Sequence, residues 1–219
     1  MKKQNLLLAA GLFGLALLCS NCASLTGFQD GRTVGQNNGE FSASLNVASS
    51  PDFNDWEDQA DSIADIPNLF FANIEFAGRY GVAEKVDLTL RLNTTLNLGV
   101  GAKFQVVGDR ESPVALALGA ELGTFGLVSG LWNVQVPVYF SLHPQENFAW
   151  YLSPRYIYQF TSYAGADDGL SYVGGNTGLL FGKRHKFGID VGYYRVGTDG
   201  SRIGALQIGL GGRFAIGKN

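Results

Sequence analysis

The stretch Val86-Asp87-Leu88-Thr89-Leu90-Arg91-Leu92-Asn93 decides the fold. Every second side chain is aliphatic, and the residues between are acidic, hydroxylic, basic or amide. A period of two puts the two sets on opposite faces of an extended strand, whereas a helical turn would spread both around its circumference. Charge on one face and leucine on the other suit a sheet with oil on one side and a polar space on the other.

The same alternation extends in both directions. Phe70, Ala72, Ile74, Phe76 and Tyr80 alternate with Asn73, Glu75 and Arg79. Leu98, Val100, Ala102, Phe104 and Val106 alternate with Asn97, Lys103 and Gln105. Trp132, Val134, Val136, Val138 and Phe140 alternate with Asn133, Gln135 and Ser141, and Leu206, Ile208, Leu210, Phe214 and Ile216 with Gln207 and Arg213. The pattern predicts ten strands, at 40–48, 69–80, 86–93, 96–107, 114–123, 131–142, 148–160, 170–181, 187–196 and 203–216. Short polar turns at Gly81–Lys85, Gly108–Pro113, His143–Asn147 and Gly182–Lys186 fall on one rim. The other rim takes the longer loops Ser49–Asn68, Thr124–Gly130, Thr161–Gly169 and Gly197–Arg202, with a tight connection at Thr94 and Thr95. An even strand number, segments of roughly ten residues and unequal rims describe an all-β fold, an antiparallel up-and-down transmembrane β-barrel of about ten strands.

The composition agrees. The 219 residues suit one domain, the 30 glycines keep no collagen-like period, and 16% charged residues is low against a usual value of about 25%. A net charge of −3 gives no electrostatic footprint for nucleic acid. Cys19 and Cys22 are too close for a disulfide framework or a zinc site.

Lys2 and Lys3 precede the apolar run Leu6–Leu18, the layout of a secretory signal, and the run is too short to span a bilayer. Residues 1–21 are therefore set apart as a signal peptide, 22–39 as an N-terminal tether and 40–217 as the barrel. Leu18-Cys19-Ser20-Asn21-Cys22 resembles a relaxed bacterial lipobox, which implies lipid attachment at Cys22 and a mature N-terminus on the periplasmic side. Ordinary cleavage between Ser20 and Ala23 is the alternative.

Arg79-Tyr80-Gly81-Val82-Ala83-Glu84-Lys85-Val86-Asp87-Leu88, followed by Gly101-Ala102-Lys103-Phe104-Gln105, resembles a hairpin of small, uncharacterised, porin-like bacterial outer-membrane β-barrel proteins. The resemblance implies an outer-membrane location in the cell envelope, a monomer, contact with outer-membrane lipid, and insertion by the barrel assembly machinery. It departs at the end of the chain, where such barrels commonly finish on Phe and Phe214 is here followed by five more residues. Phe70, Tyr80, Trp132, Phe140, Phe148, Phe160 and Phe187 are placed to form interfacial girdles. Pro137 and Pro154 each remove a ladder donor, which predicts a bulge or strand end near each. The competing architecture is a soluble lipocalin-like barrel carrying an apolar ligand, with the oily parity turned inward.

With the oily face in lipid, the lumen receives Glu75, Arg79, Asp87, Arg91, Lys103, Glu121, Arg155, Asp190 and Arg213. Nearly balanced charge in a narrow barrel reads as a salt-bridged, filled interior, or alternatively as the lining of a narrow diffusion pore for small solutes. Asp52, Asp55, Glu57, Asp58, Asp61 and Asp65 make an acidic outer loop, in which Trp56 breaks the ligand alternation of an EF-hand, so no metal or other cofactor is assigned. His143 and His185 are expected as solvated turn residues, and Asp167-Asp168 lie side by side in a long loop. Neither arrangement holds a catalytic geometry, so no catalytic residue is assigned. The sequence points first to a structural or surface-interaction barrel with an unidentified external partner.

Overall fold

The computed structural model describes residues 25–50, 69–125, 130–162, 169–198 and 201–217. Its ten strands are β1 (Gly39–Ser50), β2 (Leu69–Ala83), β3 (Val86–Asn93), β4 (Asn97–Val107), β5 (Val114–Phe125), β6 (Leu131–Gln145), β7 (Phe148–Thr161), β8 (Leu170–Phe181), β9 (His185–Thr198) and β10 (Ser201–Ile216). Each pairs antiparallel with its chain neighbours, and β1 pairs with both β2 and β10, which closes the barrel. Closure leaves no edge strand, so every ladder finds its partner internally.

Register is continuous except for shifts at Gly81/Ala83, Gln105/Val107 and Leu142/Gln145. All three lie at the short-turn rim, where an extra residue re-aims the chain into its turn. The prolines behave otherwise than expected. Neither causes a shift. β5–β6 skips from Leu118↔Val138 to Glu121↔Gln135, and β6–β7 from Pro137↔Arg155 to Phe140↔Leu152, with the same register on each side of the gap. The missing donors are absorbed as local gaps, and a glycine sits opposite each ring. A Cβ on Gly119 would stand 2.9 Å from Pro137 Cγ, and one on Gly175 2.7 Å from Pro154 Cα. A second correction concerns the β9–β10 connection, which shrinks to residues 199–200 because both strands run past their expected ends.

The apolar parity faces out. Leu88, Leu90, Val100, Phe104, Leu118, Ile208 and Leu210 are each about half exposed on the outer wall, while Asp87, Lys103, Gln105, Gln135, Asp190 and Gln207 are buried inside. A soluble carrier needs the reverse arrangement, because water does not tolerate a continuous apolar belt of this extent. The lipocalin-like alternative is therefore overturned.

Candidate functional site

The lumen is occupied by the chain itself. The segment expected as a tether is packed inside the barrel from Leu25 to Val34, with all but Gln29 and Arg32 fully buried. Leu25 packs with Phe125, Ile157, Tyr172, Tyr194 and Val196, towards the long-loop rim. Phe28 packs with Ala149, Tyr151 and Leu180, nearer the short-turn rim. Arg32 reaches the short-turn rim, where its Nε donates to the Ser112 carbonyl at 3.0 Å. Asn37 N then donates to Gly81 O at 2.8 Å and Gly81 N to Asn38 O at 2.9 Å, which folds the chain over the rim into β1. The segment thus runs from the long-loop side to the short-turn side.

An extended segment inside a barrel has no sheet partner, so the wall must satisfy its backbone. Asp190 Oδ1 accepts from Gly27 N at 3.1 Å, Ser141 Oγ from Gly31 N at 3.0 Å, and Gln105 Oε1 from Thr33 N at 3.0 Å. Both oxygens of Asp87 accept from Val34 N at 3.1 Å. Asn176 Nδ2 donates to Leu25 O at 2.8 Å and Lys103 Nζ to Arg32 O at 2.7 Å. Glycine is needed here for space. A Cβ on Gly27 would stand 2.2 Å from Asp190 Oδ2, and one on Gly31 2.5 Å from the Ala115 carbonyl.

All nine charges assigned to the interior are buried, and most are joined. Arg91 contacts Glu121 directly and lies 3.8 Å from Glu75. Lys103 lies 3.5 Å from Asp87, and Arg79 lies 3.8 Å from the same carboxylate. Asp190 is held by neutral donors, Tyr151 OH at 2.5 Å and Asn176 Nδ2 at 2.8 Å. Arg213 bridges Glu40 at 2.8 Å and Asp30 at 2.9 Å. Arg155 alone among the nine has neither an ion pair nor a hydrogen bond to the described residues.

Two acids in this network, Glu40 and Asp30, escaped the sequence. Glu40 was legible, since it shares the inward parity of Ser42, Ser44 and Asn46 and pairs across β1–β2 with Arg79. Asp30 carries no periodic signal. His143 is also corrected: it closes the inner face of β6, 5% exposed, and its Nε2 lies 3.0 Å from Ser141 Oγ. Ser141 is fully buried and already accepts from Gly31 N, so this pair offers no approach to a substrate. His185 opens β9 and is exposed. Cys22, the acidic residues of 51–68 and Asp167-Asp168 lie outside the described residues.

Where the segment leaves the lumen, a vestibule of about 950 Å³ opens at the short-turn rim. Arg32, Arg110, His143, Lys183, Arg184 and Lys186 are among its lining residues.

No family model matches the chain, and no curated protein matches it. Solved structures do. The outer-membrane channel DcaP of Acinetobacter baumannii matches at 14% identity and TM-score 0.38 over 66% of this chain and 51% of that one. The N-terminal β-barrel domain of Pseudomonas aeruginosa OprF matches at 12% identity and TM-score 0.33 over 82% and 99%. The outer membrane protein OprG from Pseudomonas aeruginosa matches at 12% identity and TM-score 0.32 over 85% and 100%. The chain spans about half the length of the first of these. Likenesses this faint bear no weight; the closed ladder, the outward apolar belt and the polar interior do. The molecule is a ten-stranded transmembrane β-barrel.

Proposed function

We propose that this barrel resides in a bacterial outer membrane with its lumen closed, and that it acts at its rims as a structural or surface-interaction protein. The observation that carries this reading is the burial of Leu25–Val34 inside the lumen, hydrogen-bonded to Asp190, Ser141, Gln105 and Asp87 on the wall. In barrels of this type short turns face the periplasm and long loops the exterior. On that orientation β1 and β2 deliver the connection 51–68, whose sequence is acidic, to the external side, where we place the partner.

One observation favours a second reading, a gated pore. The segment is held by polar contacts more than by apolar packing, and the wall charges would line an open lumen if it withdrew. Planar-bilayer recording on the folded mature chain, beside a variant lacking residues 25–34, separates the two states. Silence from the whole chain together with discrete current steps from the deletion supports a lumen closed by its own segment. Steady conductance from the whole chain overturns it.

A further inference from the structure

We propose that Arg155, with Ser153, binds a small monovalent anion of the halide class in the lumen. The two residues lie two apart on the inward face of β7, which puts their Cα atoms about 7 Å apart with side chains leaning into the same space. Ser153 is fully buried and Arg155 is 6% exposed. Ser153 Oγ and Arg155 Nε both lack a hydrogen-bond partner among the described residues. The surroundings supply no counter-charge in contact. Arg155 has Tyr194, Tyr139, Arg91 and Glu121 as electrostatic neighbours, but Glu121 is already engaged by Arg91. Asp190 is consumed by Tyr151, Asn176 and Gly27 N. Across the ladder, Arg155 faces Pro137 on β6 and Gly174 on β8, which offer no side-chain acceptor.

A buried Nε–H without an acceptor is costly, and an anion accepting from it relieves that cost with a strong, charge-assisted hydrogen bond. Size follows from the neighbours. Ile157, the next inward residue above Arg155, belongs to the apolar cluster that Leu25 forms with Phe125, Tyr172, Tyr194 and Val196. That cluster walls the site with large apolar side chains that offer few polar partners, which suits a small ion better than a sugar or a peptide.

The folded mature chain in detergent tests this by thermal unfolding, with sodium chloride titrated against sodium gluconate at constant ionic strength. The wild type should show a saturable rise in Tm on the order of a few degrees, the scale for one ligand at about ten times its dissociation constant. Arg155→Met should lose that dependence, and in gluconate alone it should unfold no lower than the wild type, because its uncompensated charge is gone. A wild type indifferent to chloride, or an Arg155→Met variant with the same rise, overturns the site. Crystals of the unaltered chain soaked in sodium bromide give an independent measurement free of any folding defect. An anomalous peak within hydrogen-bond distance of the Arg155 guanidinium and Ser153 Oγ supports the proposal. A carboxylate of the chain, such as Asp167 or Asp168, found in that place overturns it.

Discussion

Arg213, on the strand that closes the barrel, holds Asp30 of the lumen segment at 2.9 Å while its Nε contacts Glu40 at 2.8 Å. One guanidinium therefore ties the luminal segment to the β1–β10 seam, where the two ends of the sheet meet. Arg213→Gln removes both contacts and leaves the buried Asp30 and the partly buried Glu40 carboxylates short of a partner, a loss of roughly 3 kcal/mol by comparison with other broken buried pairs. Urea unfolding of the refolded barrel should show a lower midpoint, and bilayer recordings should show brief openings absent from the parent. A variant with an unchanged midpoint and a silent trace would mean that the seam is held without Arg213.

Gly31 tests the fit of the segment by size alone. Its hypothetical Cβ meets the Ala115 carbonyl at 2.5 Å and the Tyr139 carbonyl at 3.0 Å, both of them backbone atoms of wall strands that cannot swing aside. Gly31→Val should push the segment off the β5–β6 wall without removing any charge. Current steps resembling those of the 25–34 deletion are expected, with the heat-modifiable gel shift of a folded barrel retained. Loss of the gel shift would mean instead that the segment is needed for the barrel to close.

The wall was legible in the sequence because lipid and lumen impose opposite polarity on alternate residues, and that demand repeats on every strand. β3 and β8 were read to the residue, and the nine inward charges were found by parity alone. The luminal segment was not, for a physical reason. Leu25–Val34 pairs with no strand and faces wall on all sides, so no periodicity marks it, and its glycines and small polar residues resemble a linker. The prolines misled because a bulge is not the only remedy for a missing donor. Gly119 and Gly175 made room for the rings, and that pairing appears only once the register is known.

Asp109 shapes the turn at which the segment leaves the lumen. Its Oδ1 accepts from Ser112 Oγ at 2.8 Å, Ser112 N at 2.8 Å and Glu111 N at 2.9 Å, and the Ser112 carbonyl in turn receives Arg32. The Ser112 hydroxyl first, then the Glu111 and Ser112 amides, hold the Asp109 carboxyl below its ordinary value. A carboxyl depressed in the folded state stabilises above its unfolded value, about 3.9, and loses that contribution as pH falls through the folded value. Proteolysis within 108–113 should therefore accelerate only below about pH 4. In Asp109→Ala the turn should be cut at one faster rate at neutral and acid pH alike.

The direction of the segment yields a topological prediction. Leu25 packs against Phe125 and Val196, at the ends of β5 and β9 nearest the long-loop rim, and the chain then descends to Arg32 and Ser112 at the opposite rim. We therefore predict entry of the chain from the long-loop mouth; Cys22 is three residues before Leu25, at most about 10 Å of extended chain. An acyl chain on Cys22 would then be expected on the side of the long loops, because the lumen beside Leu25 is already filled by Phe125, Ile157, Tyr172, Tyr194 and Val196. An epitope inserted between Ala23 and Ser24 should be reached by antibody on intact cells, as should one placed in the 51–68 segment, while a tag after Asn219 should be reached only after permeabilisation. Protection of the N-terminal epitope alongside an exposed 51–68 epitope would mean that the segment enters from the periplasm and does not lie in the lumen as described.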